Sequence, residues 1–179
     1  MVLNNGARWA VVLATVFALA APGEQARAQD SGIAVGTKAP GAAVETLDGA
    51  PADLSSVFGK GPVVIEFWAI WCSNCKELEP AMLAVQKKYA GKVTFVGVAV
   101  SVNQSPRAVQ AYAEKHALQM THFFDRRGKA VDAYEVPATS FVVVVNTAGQ
   151  VVYTGLGGRQ DLEAAIATAT ATTRAKARE

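Results

Sequence analysis

The order of apolar and polar positions divides the chain into short alternating segments. Val63 to Ala69 is a dense apolar run after Gly61-Pro62, broken by one charge at Glu66, and predicts a strand buried on both faces. From Ser73 to Tyr89 the apolar positions are Cys75, Leu78, Met82, Val85 and Tyr89, whose steps of three and four place them on one helical face. Pro80 lies inside that helix. It lacks an N–H and crowds the preceding turn, so a kink is expected there. Lys92 to Val102 reads as a second buried strand, and Ser105-Pro106 supplies the N-cap and first position of a helix carrying Val109, Tyr112 and Ala113.

The flanking segments carry weaker signals. Gln29 to Thr37 is a short, polar, glycine-bearing lead-in. Ala42 to Val57 combines a Leu47-Asp48-Gly49 turn with a Leu54/Val57/Phe58 patch, as a hairpin or strand followed by a short helix would. Met120 to Phe124 predicts a short strand, and Arg126 to Tyr134 a short helix or turn. Thr139 to Asn146 is strongly strand-forming and folds back through Thr147-Ala148-Gly149 onto Gln150 to Thr154. A last helix from about Arg159 turns Leu162, Ala165, Ile166 and Ala169 inward, with fraying expected after Ala171. Strands alternating with helices, then closing on a hairpin and a helix, predict an α/β sandwich with a mixed sheet. The pattern does not carry the strand order.

At 179 residues the length favours one domain. The net charge of +2, with no long run of Lys or Arg, argues against a nucleic-acid platform. Residues 1–28 have the form of a signal peptide: Arg8, then uncharged Trp9 to Ala21, then Ala26-Arg27-Ala28 as the cleavage site. Thirteen helical residues reach roughly 20 Å, short of a hydrocarbon core of roughly 30 Å, so cleavage after Ala28 is expected in preference to a retained anchor. The product is then an exported, periplasmic or otherwise extracytoplasmic protein with no stable membrane anchor.

Both cysteines of the chain, Cys72 and Cys75, lie in one C-x-x-C. A secreted protein that uses disulfides as staples spreads them through its loops, so this pair reads as chemical rather than architectural. It falls where a buried strand gives way to a helix. Residues three apart in a first helical turn have Cα atoms roughly 5 Å apart, within disulfide range. The free amides and positive dipole end of a helix N-terminus stabilise a thiolate, lowering a thiol pKa from about 8.5 to about 7 or below. Position therefore makes Cys72 the nucleophile and Cys75, one turn in on the buried face, the resolving thiol. Glu66, a lone carboxylate in a buried strand, is the candidate to take the Cys75 proton, because burial raises a carboxyl pKa towards neutrality.

These residues resemble the thioredoxin superfamily, and more narrowly its TlpA/ResA-type thiol–disulfide reductases. The resemblance runs from about Gly36 to Ala169. It rests on Phe67-Trp68-Ala69-Ile70-Trp71-Cys72-Ser73-Asn74-Cys75-Lys76, on Pro80 five residues after Cys75, on Glu66, and on Val136-Pro137-Ala138-Thr139-Ser140-Phe141. It implies a thioredoxin-like three-layer sandwich over residues 36–173, with an N-terminal extension and a helix–strand insertion between Val102 and Pro137. It also implies a cis Pro137 packed on the disulfide, a Val136 backbone that pairs with bound substrate, and Trp71 at the rim of the site. The partners implied are protein or peptide dithiols and disulfides and an upstream redox partner, met by a monomer without cofactor or metal. Two features depart from the family: the dipeptide between the cysteines is Ser73-Asn74, and Leu78 stands where several ResA-like reductases carry glutamate, with Glu77 and Glu79 beside it.

Rival readings of the same residues differ in class. Cys72 and Cys75 with His116 and His122 form a superficial zinc or copper set, although forty residues separate its halves. A peptide-binding domain without catalysis is a third reading, and a peroxidase lacks a peroxidatic cysteine outside the C-x-x-C. Glu66 read structurally is a strand-edge carboxylate paired with a lysine.

Overall fold

The computed structural model describes residues 32–176, so the expected leader lies outside the described residues. Its centre is β3 (Val63–Trp68), in which all six residues are buried, as its unbroken apolar run requires. Around it lie β1 (Ala43–Thr46), β2 (Pro51–Asp53), β4 (Thr94–Val100), β5 (Thr121–Asp125), β6 (Phe141–Val145) and β7 (Val151–Leu156). They form one seven-stranded sheet in the order β2-β1-β5-β4-β3-β6-β7. Pairing is parallel for β3 with β4 and β4 with β5, and antiparallel elsewhere, so the sheet is mixed.

Helices follow the sequence periodicity. α1 (Ser73–Lys88) continues through Pro80 and buries Cys75, Leu78, Met82 and Val85. α2 (Pro106–Lys115) opens with the Ser105 hydroxyl accepting from the Ala108 N–H at 3.3 Å. α3 (Lys129–Ala133) is short, and α4 (Leu162–Lys176) buries Leu162, Ala165, Ile166 and Ala169. α4 extends to Lys176. A 3-10 turn over Leu54–Val57, capped by Asp53, completes the N-terminal hairpin unit.

Alternation along β3 gives each face its own core. Val63, Ile65 and Phe67 pack with Leu54, Ala130 and Tyr134, beneath the 3-10 turn and α3. Val64 faces α1 and α4, while Trp68 and Ala69 pack with Cys72, Cys75 and Val109 beside α1 and α2. The result is the expected three-layer sandwich, a thioredoxin-type α/β fold. The interval between Val102 and Pro137 holds α2, β5 and α3, which accommodates the expected insertion.

Two expectations change. The lead-in is not merely polar: Ile33 is 5% exposed within the core, and its N–H donates to the Tyr134 carbonyl at 3.0 Å. Among the described residues no peptide bond is cis, so Val136–Pro137 is trans, contrary to the family resemblance. The chain makes its reversal before β6 through two left-handed residues, Glu135 at φ 50° and Ser140 at φ 64°. The proline bond keeps the isomer that an X–Pro bond favours by about 0.5–1 kcal/mol.

Candidate active site

The site lies at the C-terminal end of β3, where the chain turns through Ala69, Ile70 and Trp71 into α1. The Cys72 N–H donates to the Ala69 carbonyl at 3.1 Å, which closes this turn. Cys72 is the N-cap of α1, with extended backbone at φ −76° and ψ 115°. Its sulfur accepts the Cys75 N–H at 3.1 Å, occupying the position a capping oxygen usually fills. Cys72 and Cys75 form a disulfide with their Cα atoms 5.3 Å apart. They are 4% and 6% exposed, while Trp71 beside them is 47% exposed.

Two contacts fix this turn to the loop after β4. The Trp71 indole N–H donates to the Val102 carbonyl at 2.8 Å, and the Ile70 N–H donates to the Gln104 side-chain oxygen at 2.9 Å. The Gln104 amide in turn donates to the Val100 carbonyl. Sequence reasoning missed Gln104, because the backbone group it ties down, Ile70, lies 34 positions away in the chain.

Glu66 is 6% exposed in β3, between Gly97 of β4 and Val142 of β6. Burial, reinforced by the charge of Glu79, pushes its carboxyl up to about 8. A cavity of about 10 Å3, room for roughly one water, is lined by Glu66, Cys75 and Glu79, with Trp68 and Tyr112 closing its walls. Buried Cys75 and the buried acid thus share one space.

Glu79 and Tyr112 were not foreseen as site residues, and His116 only as a ligand in the metal reading. The Tyr112 hydroxyl donates to Glu79 Oε2 at 3.2 Å, and His116 Nδ1 lies 2.8 Å from Glu79 Oε1. The available signal was the four-residue step from Cys75 to Glu79, which sets a carboxylate one turn along the same helical face. Burial and the charges of Glu79 and Glu66 hold the Tyr112 phenol up at about 12.

The remaining predicted residues are placed unevenly. β6 runs antiparallel to β3, and the Ser140 N–H donates to the Phe67 carbonyl at 2.9 Å, so the segment 136–140 lies at the same sheet end as the cysteines. The Val136 N–H is taken by the Val131 carbonyl at 3.0 Å, and Pro137 is exposed. The metal set does not assemble. His116 meets Glu79, and the His122 ring lies 5.5 Å from the Trp68 ring. Among the described residues no three His, Cys, Asp or Glu side chains form a metal-binding group.

Comparison with known proteins agrees with this geometry. The family model described as Redoxin matches residues 34–170. The chain belongs to the Redoxin family. This Redoxin protein is 31% identical over 138 residues to the thioredoxin-like protein YneN of Bacillus subtilis, covering 75% of this chain and 80% of that one. It is also 31% identical over 120 residues to the thiol-disulfide oxidoreductase ResA of the same organism, covering 67% and 66%. A solved secreted disulfide oxidoreductase of Mycobacterium tuberculosis, homologous to E. coli DsbE, superposes at a TM-score of 0.60 with 28% identity, covering 72% of this chain and 94% of that one. With its cysteine pair at disulfide distance, the Redoxin chain is a TlpA/ResA-like thiol–disulfide oxidoreductase.

Proposed function

We propose that this protein is an exported reductase of protein disulfides, with Cys72 as nucleophile, Cys75 as resolving thiol and Glu66 as the base that takes the Cys75 proton. The observation that carries the reading is the shared cavity: Cys75 and a buried acid raised to about 8 open on one water-sized space. Reduced Cys72 attacks a substrate disulfide and forms a mixed disulfide. Cys75, deprotonated by Glu66, then attacks Cys72 Sγ, which releases the substrate as a thiol and leaves Cys72–Cys75 oxidised. An upstream dithiol restores the pair.

The surroundings of the Cys72 sulfur support the reductive direction. A strong oxidant stabilises its reduced form heavily. Here the sulfur accepts the Cys75 amide at a helix N-terminus, with Ser73-Asn74 supplying no imidazole. Trp71 and Val102, 47% and 57% exposed, offer an apolar rim to the substrate chain. We assign the backbone contact to the Val136 carbonyl, since its N–H is committed to Val131. Arg8, the apolar stretch to Ala21 and Ala26-Arg27-Ala28 support export, as does the secreted relative.

The test uses the full-length chain with its own leader. Cys75→Ala is expected to be recovered beginning at Gln29 and covalently joined to partner proteins, whereas Cys72→Ala traps none. The wild-type dithiol is expected to equilibrate near thioredoxin's potential, about −270 mV. A value near −120 mV makes the protein an oxidant and overturns the reductase reading.

A further inference from the structure

Exchange leaves a proton in an enclosed place. The reaction converts a Cys72 thiolate, a Cys75 thiol, a substrate disulfide and one solvent proton into the enzyme disulfide and two substrate thiols. Two electrons pass from the enzyme sulfurs to the substrate sulfurs. The first substrate thiolate is released into solvent and protonated there. The Cys75 proton, by contrast, is deposited on Glu66, which is 6% exposed beneath a 6% exposed Cys75. Glu66, raised to about 8, already holds a proton near neutral pH, so it must pass that proton to solvent before it can take the one on Cys75.

We propose that Glu79 and His116 form the route by which this proton leaves the buried pair for solvent. The inference rests on the assignment of Glu66 as base and deepens it. Glu79 lines the cavity that holds Glu66 and Cys75, and its charge is one of the causes that raise Glu66, so the two carboxylates sense each other across that space. At its outer end Glu79 Oε1 lies 2.8 Å from His116 Nδ1, with the side chains 19% and 30% exposed. Exposure thus rises stepwise from Glu66 through Glu79 to His116.

The remaining contacts hold the pair in register. The His116 ring stacks on Tyr112 at a centroid distance of 3.9 Å and an interplanar angle of 11°. The Tyr112 hydroxyl donates to the second Glu79 oxygen at 3.2 Å. Tyr112, raised to about 12, keeps its proton and orients the carboxylate without competing for the load. His116 then receives a proton at Nδ1 and releases one from Nε2, a transfer that the two ring nitrogens of imidazole allow. Glu79 and His116 act through Glu66 and are positioning residues.

Single-turnover reduction of a disulfide peptide by the reduced protein tests this, with acid quenching to follow formation and decay of the mixed disulfide. His116→Ala is expected to form the mixed disulfide at the wild-type rate and to resolve it about tenfold more slowly. Added imidazole should restore the rate, an effect that a purely structural role of His116 would not produce. Glu79→Gln should be equally slow and insensitive to imidazole, because the lost link lies inside the protein. Wild-type resolution in His116→Ala overturns the proposal, as does slow resolution that imidazole leaves unchanged. Glu66→Gln in the same assay separates the two readings. A slow Glu66→Gln beside a fast His116→Ala removes the route alone, and a fast Glu66→Gln removes the base assignment itself.

Discussion

At the residue scale, Glu66 ties activity to stability. Its carboxyl titrates near 4.5 in an unfolded chain and at about 8 in the fold. Between those values the unfolded chain has released a proton that the folded protein retains. Folding is therefore unhindered by this group below about pH 4.5 and loses stability as pH rises through about 8. At about 1.4 kcal/mol per pH unit the effect reaches a few kcal/mol. Denaturant unfolding of the oxidised protein, in which the cysteines do not titrate, should show Glu66→Gln gaining on wild type by that amount between pH 5 and pH 8. Parallel pH profiles for the two proteins would contradict it. Glu66 stood out in the sequence because one acid interrupted an apolar run. Glu79, Tyr112 and His116 gave little sign, since their bonds join positions 33 and 37 apart in the chain.

At the scale of elements, the strands build the site by what they omit. Gly97 of β4 is paired with Glu66 on one side and His122 on the other. A Cβ at position 97 would lie 2.8 Å from both the Trp68 indole nitrogen and His122 Nδ1. Both rings are held in packed surroundings and cannot simply swing aside, and Trp68 also walls the cavity. Gly97→Ala should cost about 1–3 kcal/mol in thermal or denaturant unfolding and slow resolution of the mixed disulfide. Unchanged stability would show that the rings give way. Periodicity made α1 and β3 legible because each buries a continuous set of its own residues. The 136–140 turn was not legible from local signals: two left-handed residues shape it, and neither Glu135 nor Ser140 is a residue type that announces that conformation.

For the whole molecule, the fold class followed from strands and helices in alternation, whereas the sheet order came only with the coordinates. The lead-in shows why. It carries one large apolar residue in the core, Ile33, and is otherwise secured by backbone bonds to distant partners. Ile33→Ala should lower stability by about 2–4 kcal/mol, read as a reduced denaturation midpoint at unchanged slope. A cost below about 0.5 kcal/mol would make this segment an appendage.

The same segment decides how the sheet ends. Gly36 donates to the Val151 carbonyl at 2.8 Å, Val151 donates to Thr37 at 2.9 Å, and Ala39 donates to Gly149 at 2.8 Å, so the start of β7 is already occupied on its outer flank. The opposite rim is three residues long and begins with Pro51, which has no N–H to offer. Among the described strands, the backbone left for a neighbouring molecule to pair with is the outer side of residues 152–156 and the short, proline-led β2. Proteolytic nicking between Gly36 and Ala39 would uncover the start of β7 and lengthen the edge that a neighbouring strand can join.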